Sequence, residues 1–271
     1  MTRLAQRVIL IVIDGLRPDG LLKAAAPNLK RLMANGAYSL EAQTVMPSIT
    51  LPTHLSLFYG VSPEVHGVKS NVYMPNPALN LGIVERVHEA GMEAAAFYSW
   101  EQLRDLWRPG FIKHTYFLNI YSSPERDFDR EVAAAAADYW MKEPAAFTFV
   151  YLGVLDELAH KVGWMSEKYL EGIESADAAV GHLLGRLEAG GLLKGTALLV
   201  QADHGGHARG HGTDQWEDMT IPWILSGPGV RRGVRLETPV SLLDTAPTIL
   251  HLLGLEAGPS WAGRVVKEAL F

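Results

Sequence analysis

Three apolar runs in this chain each lead into an aspartate, and that arrangement restricts the fold more than any other feature. "RVILIVID" runs to Asp14, "AAFTFVYLGVLD" to Asp156 and "GTALLVQADHGG" through Asp203. Continuous β-branched runs of this kind read as strands buried on both faces, the signature of a parallel sheet. Helical patterns alternate with them. "APNLKRLMANGA" has Gly36 as its stop, and a second helix runs from near Pro52 to Gly60. Others are expected near residues 79–90, over 124–142 opened by Ser123-Pro124-Glu125, near 166–189, and in the closing "SLLDTAPTILHLLG". Further strands are expected near "EAAAFYSW" and "IPWILSGPGV". The alternation predicts one α/β domain over residues 1–271, a three-layer αβα architecture with a central, mostly parallel sheet.

Sites in open α/β sheets gather beyond the carboxyl ends of the strands. Three carboxylates converging there repel one another unless cations lie between them. Any one of them alone could instead cap a following helix. The neighbours favour metal. Asp156 stands four residues before His160, a spacing that puts both on one helical face. Asp203 runs straight into His204, with His207 and His211 close behind and glycines at 205, 206, 210 and 212. Those glycines let a loop fold tightly around an ion, although an exposed His-Gly loop would look similar. Aspartate and histidine without cysteine suit zinc, with manganese or iron as substitutes. Asp14, Asp156, His160, Asp203, His204 and His211 make six candidate ligands, enough for two ions. A hydroxyl from "MPSITLPTHLS", residues 46–56, would complete one sphere.

Composition narrows the chemistry. The 271 residues are 48% hydrophobic and 20% charged, with a formal net charge of -6, so no global basic field recruits a nucleic-acid polymer. There are no cysteines, which removes disulfides, thiolate metal sites and cysteine nucleophiles together. No run approaches a membrane span, and the apolar start is too short for a signal-peptide core, so a cytoplasmic location is expected.

"VIDG", "PSITLPTH", "HGVKSN", "LDELAH", "DHGGHARGHG" and "DTAPTILHLLG", in this order over residues 8 to about 254, resemble the alkaline phosphatase superfamily. The branch is that of the nucleotide pyrophosphatase/phosphodiesterase (type I phosphodiesterase) proteins. The resemblance implies an alkaline-phosphatase-like catalytic domain with reduced insertions, and a two-zinc enzyme that hydrolyses phosphodiester or phosphoanhydride bonds of small molecules or nucleotides. It implies a nucleophilic Thr50, with a phosphothreonine intermediate. One zinc would be held by Asp14, Thr50, Asp203 and His204, the other by Asp156, His160 and His211. Asn71 would hydrogen-bond a phosphoryl oxygen, and Tyr151 would pack on a base or leaving group. His211-Gly212 fits the family's His-Gly pair and His207-Ala208 does not, which makes His207 a decoy. His54 and His66 read as histidines that fix the loop.

Trp100, with Phe97, Tyr73, Tyr121 and Tyr151, can line an apolar slot for a base or other leaving group, or can simply pack the core. Two enzyme alternatives use the same site: a phosphonoacetate-type phosphonate hydrolase and a phosphomonoesterase. No arginine stands beside Thr50 to bind a dianion, although Arg17 and Lys69 lie near motifs. Ser122-Ser123-Pro124-Glu125-Arg126 fits a short sulfatase pattern, but lies far past Thr50 and reads as a helix start. The non-enzyme alternative is a degenerate member that binds metal or nucleotide without turnover.

Overall fold

A computed structural model of the chain describes residues 2–76, 79, 81–123 and 126–271. Its centre is an eight-stranded sheet in the order β4-β3-β5-β1-β6-β7-β2-β8. The strands are β1 (Arg7–Ile13), β2 (Gly36–Gln43), β3 (Ala94–Tyr98), β4 (His114–Phe117), β5 (Phe147–Leu152), β6 (Thr196–Gln201), β7 (Thr220–Ser226) and β8 (Val234–Arg235). Only β7 runs against its neighbours. The helices are α1 (Pro18–Lys23), α2 (Pro27–Ala34), α3 (Thr50–Tyr59), α4 (Pro63–His66), α5 (Ile83–Glu89), α6 (Phe128–Trp140), α7 (Val154–Val162), α8 (Glu167–Ala189), α9 (Trp216–Met219) and α10 (Thr245–Leu252). Helix α8 packs on α1, α2, α6 and α7 to cover one face, while α3 packs with α4, α5 and α10 on the other. The result is the three-layer αβα arrangement with a mostly parallel sheet.

β1 occupies the middle of the sheet, paired in parallel with β5 on one side and β6 on the other. Every residue from Val8 to Ile13 is buried, because helices cover both faces and leave no polar side for the strand. The three runs noted in the sequence are therefore adjacent strands, and their carboxyl ends lie side by side. None of the helices is long and apolar enough to cross a membrane, among the described residues.

Several boundaries differ from expectation for identifiable reasons. Gly36 does not stop α2; it opens β2, and a Cβ there would stand 2.1 Å from the Leu225 carbonyl oxygen of β7. The glycine serves the close approach of two backbones. β2 and β4 were not expected: their polar-interrupted sequences, "GAYSLEAQ" and "HTYF", lack the continuous apolar signature of the buried strands. The helix expected from 124 begins at Phe128, capped by Asp127, whose side chain accepts from the Arg130 amide at 3.2 Å. Pro124 and Glu125 of that expected start lie outside the described residues, as does Asn80 of the helix expected near 79–90, which here spans Ile83–Glu89. α3 starts at Thr50 rather than near Pro52, because Ile49 is still extended and its carbonyl already accepts from the Thr53 amide at 3.0 Å. Asp156 does not end a strand: β5 stops at Leu152, and Asp156 stands in the first turn of α7.

Candidate active site

Asp14 follows β1 directly, Asp203 lies two residues beyond β6, and α7 carries Asp156 back over the same end of the sheet. The turn after Asp203 adds His204, and the loop beyond it adds His211. Two trios result, Asp14/Asp203/His204 and Asp156/His160/His211, each with donor atoms within 4.8 Å of one another. In the first, His204 Nε2 is 3.3 Å from both Asp14 Oδ1 and Asp203 Oδ2. In the second, His160 Nε2 is 3.3 Å from Asp156 Oδ2 and His211 Nε2 is 3.8 Å from Asp156 Oδ1. The His204 and His211 rings stack with centroids 3.8 Å apart, which joins the trios into one cluster.

Each of these histidines has its Nδ1 tied to a backbone carbonyl: His204 to Gly205 at 2.8 Å, His160 to Arg209 at 2.9 Å and His211 to Ser48 at 2.8 Å. A ring that donates from Nδ1 presents the Nε2 lone pair, and carbonyl partners of this kind orient metal-binding imidazoles. All three Nε2 atoms face carboxylates. Asp14 Oδ1 and Asp156 Oδ1 are buried without a hydrogen-bond partner, even though ring nitrogens lie close to them. Lone pairs facing lone pairs at His204–Asp14 and His211–Asp156 are what a bridging cation resolves.

The electrostatics agree. Burial, followed by the charges of Asp203 and Asp156, holds the Asp14 carboxyl well above the usual carboxylate range. Burial likewise pushes Asp203 up to about 7, with the Asp156 charge adding to it. His160 is raised to about 9, chiefly by its hydrogen bond to Asp156, and burial lowers His211 to about 4. Without cations the cluster must hold protons it would not keep in water; divalent ions would take their place. The oxygen and nitrogen donors, with no sulfur, fit zinc, and manganese or iron next.

Thr50 is the first residue of α3, 5% exposed, with Oγ1 3.2 Å from His204 Nε2. The other hydroxyls of its segment do not face His204, although Thr53 Oγ1 also lies 3.4 Å from Asp203 Oδ2. Ser48 donates to the Thr213 carbonyl at 2.8 Å, Thr53 to the Thr50 carbonyl at 2.8 Å, and the Ser56 hydroxyl lies 3.1 Å from His66 Nε2. Asn71 Oδ1 accepts from the Leu51 amide at 3.0 Å, which ties the loop after α4 to the N-terminus of α3. A cleft of about 350 Å³ opens over Thr50, Asn71, Asp14 and the second trio, with Trp100, Gln102, Ile120, Tyr121 and Glu157 forming its remaining wall.

Other expected residues fall in different places. Tyr151 reaches the cleft, but its ring is 3% exposed, edge-on to His54, and its hydroxyl donates to Asp14 Oδ2. It braces a carboxylate from beneath and offers no open face to a base. Trp100 lines the cleft at 9% exposure, whereas Phe97 is wholly buried in the core and Tyr73 lines a separate cleft with Arg104 and Arg108. His54 is a buried helix residue, its Nδ1 2.7 Å from the Thr50 carbonyl, and burial lowers it to about 3. His66 pins α3 through the Pro52 carbonyl at 3.2 Å. His207 turns away from the trios to Asp218 Oδ1 at 2.7 Å. Arg17 bonds the Gly206 carbonyl at 2.9 Å and Asp19, so it buttresses the histidine loop.

Sequence reasoning missed Asp218. It is fully buried, accepts from the Thr213 amide at 2.9 Å and hydroxyl at 2.7 Å, and its carbonyl accepts from Gly205 at 2.8 Å. Both ends of the loop bearing His204 and His211 are thereby fastened to one residue. No motif announced it, since the partners become neighbours only when the loop folds back on α9.

Residues 8–222 match the family model described as type I phosphodiesterase / nucleotide pyrophosphatase. The chain belongs to that family. Among curated proteins it is 28% identical over 215 residues to ectonucleotide pyrophosphatase/phosphodiesterase family member 3 of Rattus norvegicus, covering 73% of this chain and 24% of that one. With family member 5 of Homo sapiens it shares 25% identity over 218 residues, covering 74% of this chain and 45% of the relative. The chain thus spans between a quarter and a half of the length of these family relatives. Among solved structures, murine ectonucleotide pyrophosphatase/phosphodiesterase 5, an inactive threonine-to-alanine variant in complex with AMP, superposes with a TM-score of 0.84 at 19% identity, covering 98% of this chain and 100% of that one. The likeness establishes an alkaline-phosphatase-like fold.

Proposed function

We propose that this chain is a metal-dependent hydrolase of small phosphate esters and nucleotides, cleaving phosphodiester or phosphoanhydride bonds with Thr50 as nucleophile. The observation that carries the reading is the position of Thr50 Oγ1, at the N-terminus of α3 and 3.2 Å from His204 Nε2, beside two trios with unpartnered carboxylate oxygens. Family membership supports it. Asp14, Asp203 and His204 with Thr50 would hold one zinc, and Asp156, His160 and His211 the other. Bound zinc supplies Lewis acidity, which favours an alkoxide over a neutral hydroxyl and offsets phosphoryl charge.

The chain's own groups do the rest. Thr50 Oγ1 loses its proton to solvent and attacks phosphorus in line; the bond to the leaving oxygen breaks, that oxygen takes up a proton from solvent, and a phosphothreonine forms. The N-terminus of α3 sets its positive pole toward the equatorial oxygens as charge moves, while the Leu51 amide donates to Asn71 Oδ1. The Asn71 carbonyl oxygen is engaged with that amide, which leaves its NH2 as the donor available to a phosphoryl oxygen. Water then attacks the phosphorus of the phosphothreonine, the P–Oγ1 bond breaks, the phosphate product departs, and one proton of the water returns to Thr50 Oγ1. No lysine or arginine lines the cleft among the described residues, which favours a diester monoanion over a monoester dianion.

The test is turnover of bis(p-nitrophenyl) phosphate, p-nitrophenyl phosphate and phosphonoacetate by one zinc-loaded preparation and by its Thr50→Ala variant. The diester is expected to turn over fastest, and Thr50→Ala to lower kcat by about a thousandfold or more. Full turnover by Thr50→Ala would remove the nucleophile from this scheme, and activity on the monoester or phosphonate alone would remove the diesterase assignment.

A further inference from the structure

Half of the catalytic cleft has no part in the chemistry above. Its wall is Trp100, Gln102, Ile120, Tyr121 and Glu157. Glu157 follows Asp156 in the first turn of α7 and is partly buried. Its Oε1 accepts from the Tyr121 hydroxyl at 2.5 Å, with Trp100 on the same wall of the cleft. The bond lies at the exposed rim of the cleft, where Tyr121 is 65% exposed, and it orients the carboxylate beside that ring. Behind this pair a smaller cleft of about 190 Å³ begins, sharing Ile120, Tyr121 and Glu157 and reaching outward to Arg126 and Lys161. Arg126 is engaged with Glu131 at 3.0 Å. The Tyr121–Glu157 bridge thus stands between the Thr50 cleft and the nearest cations on that side.

Charge decides what fits against it. The three aspartates and the Thr50 alkoxide balance two divalent cations, so a phosphodiester monoanion already leaves the site with one net negative charge. A second anionic group on the substrate would meet Glu157 with nothing to offset it. A cationic group would meet a carboxylate and aromatic rings, surroundings that hold ammonium ions well.

We propose that Glu157, braced by Tyr121, selects phosphodiesters whose substituent on the Asp156 side is uncharged or cationic and discriminates against substrates in which it is anionic, phosphoanhydrides included. This rests on the hydrolase reading above and narrows it, since the family model spans both bond types.

The experiment compares kcat/KM for p-nitrophenyl phosphorylcholine, bis(p-nitrophenyl) phosphate and ATP in the zinc-loaded protein and its Glu157→Gln variant. The parent is expected to prefer the phosphorylcholine ester over ATP by at least about tenfold, and Glu157→Gln to shrink that ratio by about a hundredfold. The aryl diester should fall between them. A parent that favours ATP, or a variant in which the ratio is unchanged, would overturn the proposal. Calorimetric titration of zinc-loaded Thr50→Ala with the same ester and with ATP, with and without Glu157→Gln, separates the two claims. Absent turnover of every compound would defeat the hydrolase reading alone, and the binding ratio would then decide the role of Glu157 by the same criterion.

Discussion

Asp14, Asp203 and His204 are 1%, 0% and 0% exposed, whereas His160 of the second trio keeps 40% of its side chain in solvent. The first trio is cast from the ends of two adjacent central strands and the turn between Asp203 and Gly205. The second is assembled from one helical turn and a glycine-rich loop. Burial dominates the first and raises both of its carboxyls. In the second, pairing wins: although burial raises Asp156, its hydrogen bond with His160 and the nearby histidines bring it below its ordinary value. The first trio is a rigid, high-energy site that a cation must neutralise. The second is already half-neutralised by its own proton and should exchange metal more readily.

The largest expected contrast comes from one substitution in each. Asp203→Asn should lower turnover by about a thousandfold or more at any zinc concentration, while raising the melting temperature of the metal-free protein, because it removes a buried like charge. His160→Ala should weaken zinc binding by about 10–100-fold, and added zinc should restore part of the activity. Equal rescue of both variants by zinc would erase the distinction.

Next in size is the pH dependence of the metal-free protein. The folded pKa of Asp203, about 7, lies above its ordinary value of 3.8, so the folded state holds extra proton between those values. The Asp203 contribution to stability is therefore fully present below about pH 4 and lost as pH rises through about 7. Zinc should abolish this decline, since the carboxylates are then needed in ionised form. Thermal melts of chelated and zinc-loaded protein from pH 4 to pH 8 read it directly; a parallel course for both would contradict the account. His160 acts in the same sense: its proton, held up to about pH 9, competes with metal, so affinity at the second trio should rise with pH.

A smaller effect tests the shared fastening of the two histidines. Asp218→Asn loses the charge that faces His207 and weakens the Thr213 contacts, at a cost of about 1–3 kcal/mol of stability measured by denaturant titration. It should also loosen zinc at both trios together, through His204 and His211. A change confined to one trio would show that the loop is held elsewhere.

The buried strands were plain in the sequence because a sheet covered on both faces demands unbroken apolar runs, as in Val8–Ile13. Asp156 and Asp203 were legible because one stands four residues from a histidine and the other next to one, and Asp14 because it ends a buried apolar run. β2 was not legible, since it lies toward the sheet edge and its glycine serves a backbone contact with Leu225, a partner nearly two hundred residues away. Tyr151 was noticed for the right neighbourhood, yet its hydroxyl and ring direction depend on where Asp14 and His54 arrive.

Residue chemistry and spacing along the chain determined which side chains could bind metal and which segment held the candidate nucleophile, because both are local properties. Only the tertiary structure decided that Thr50, and not Ser48, Thr53 or Ser56, faces His204, that His207 answers Asp218, and that Glu157 lines the cleft. Those outcomes turn on which way each side chain points once the strands at the centre of the sheet are side by side, and direction in space is fixed by long-range packing.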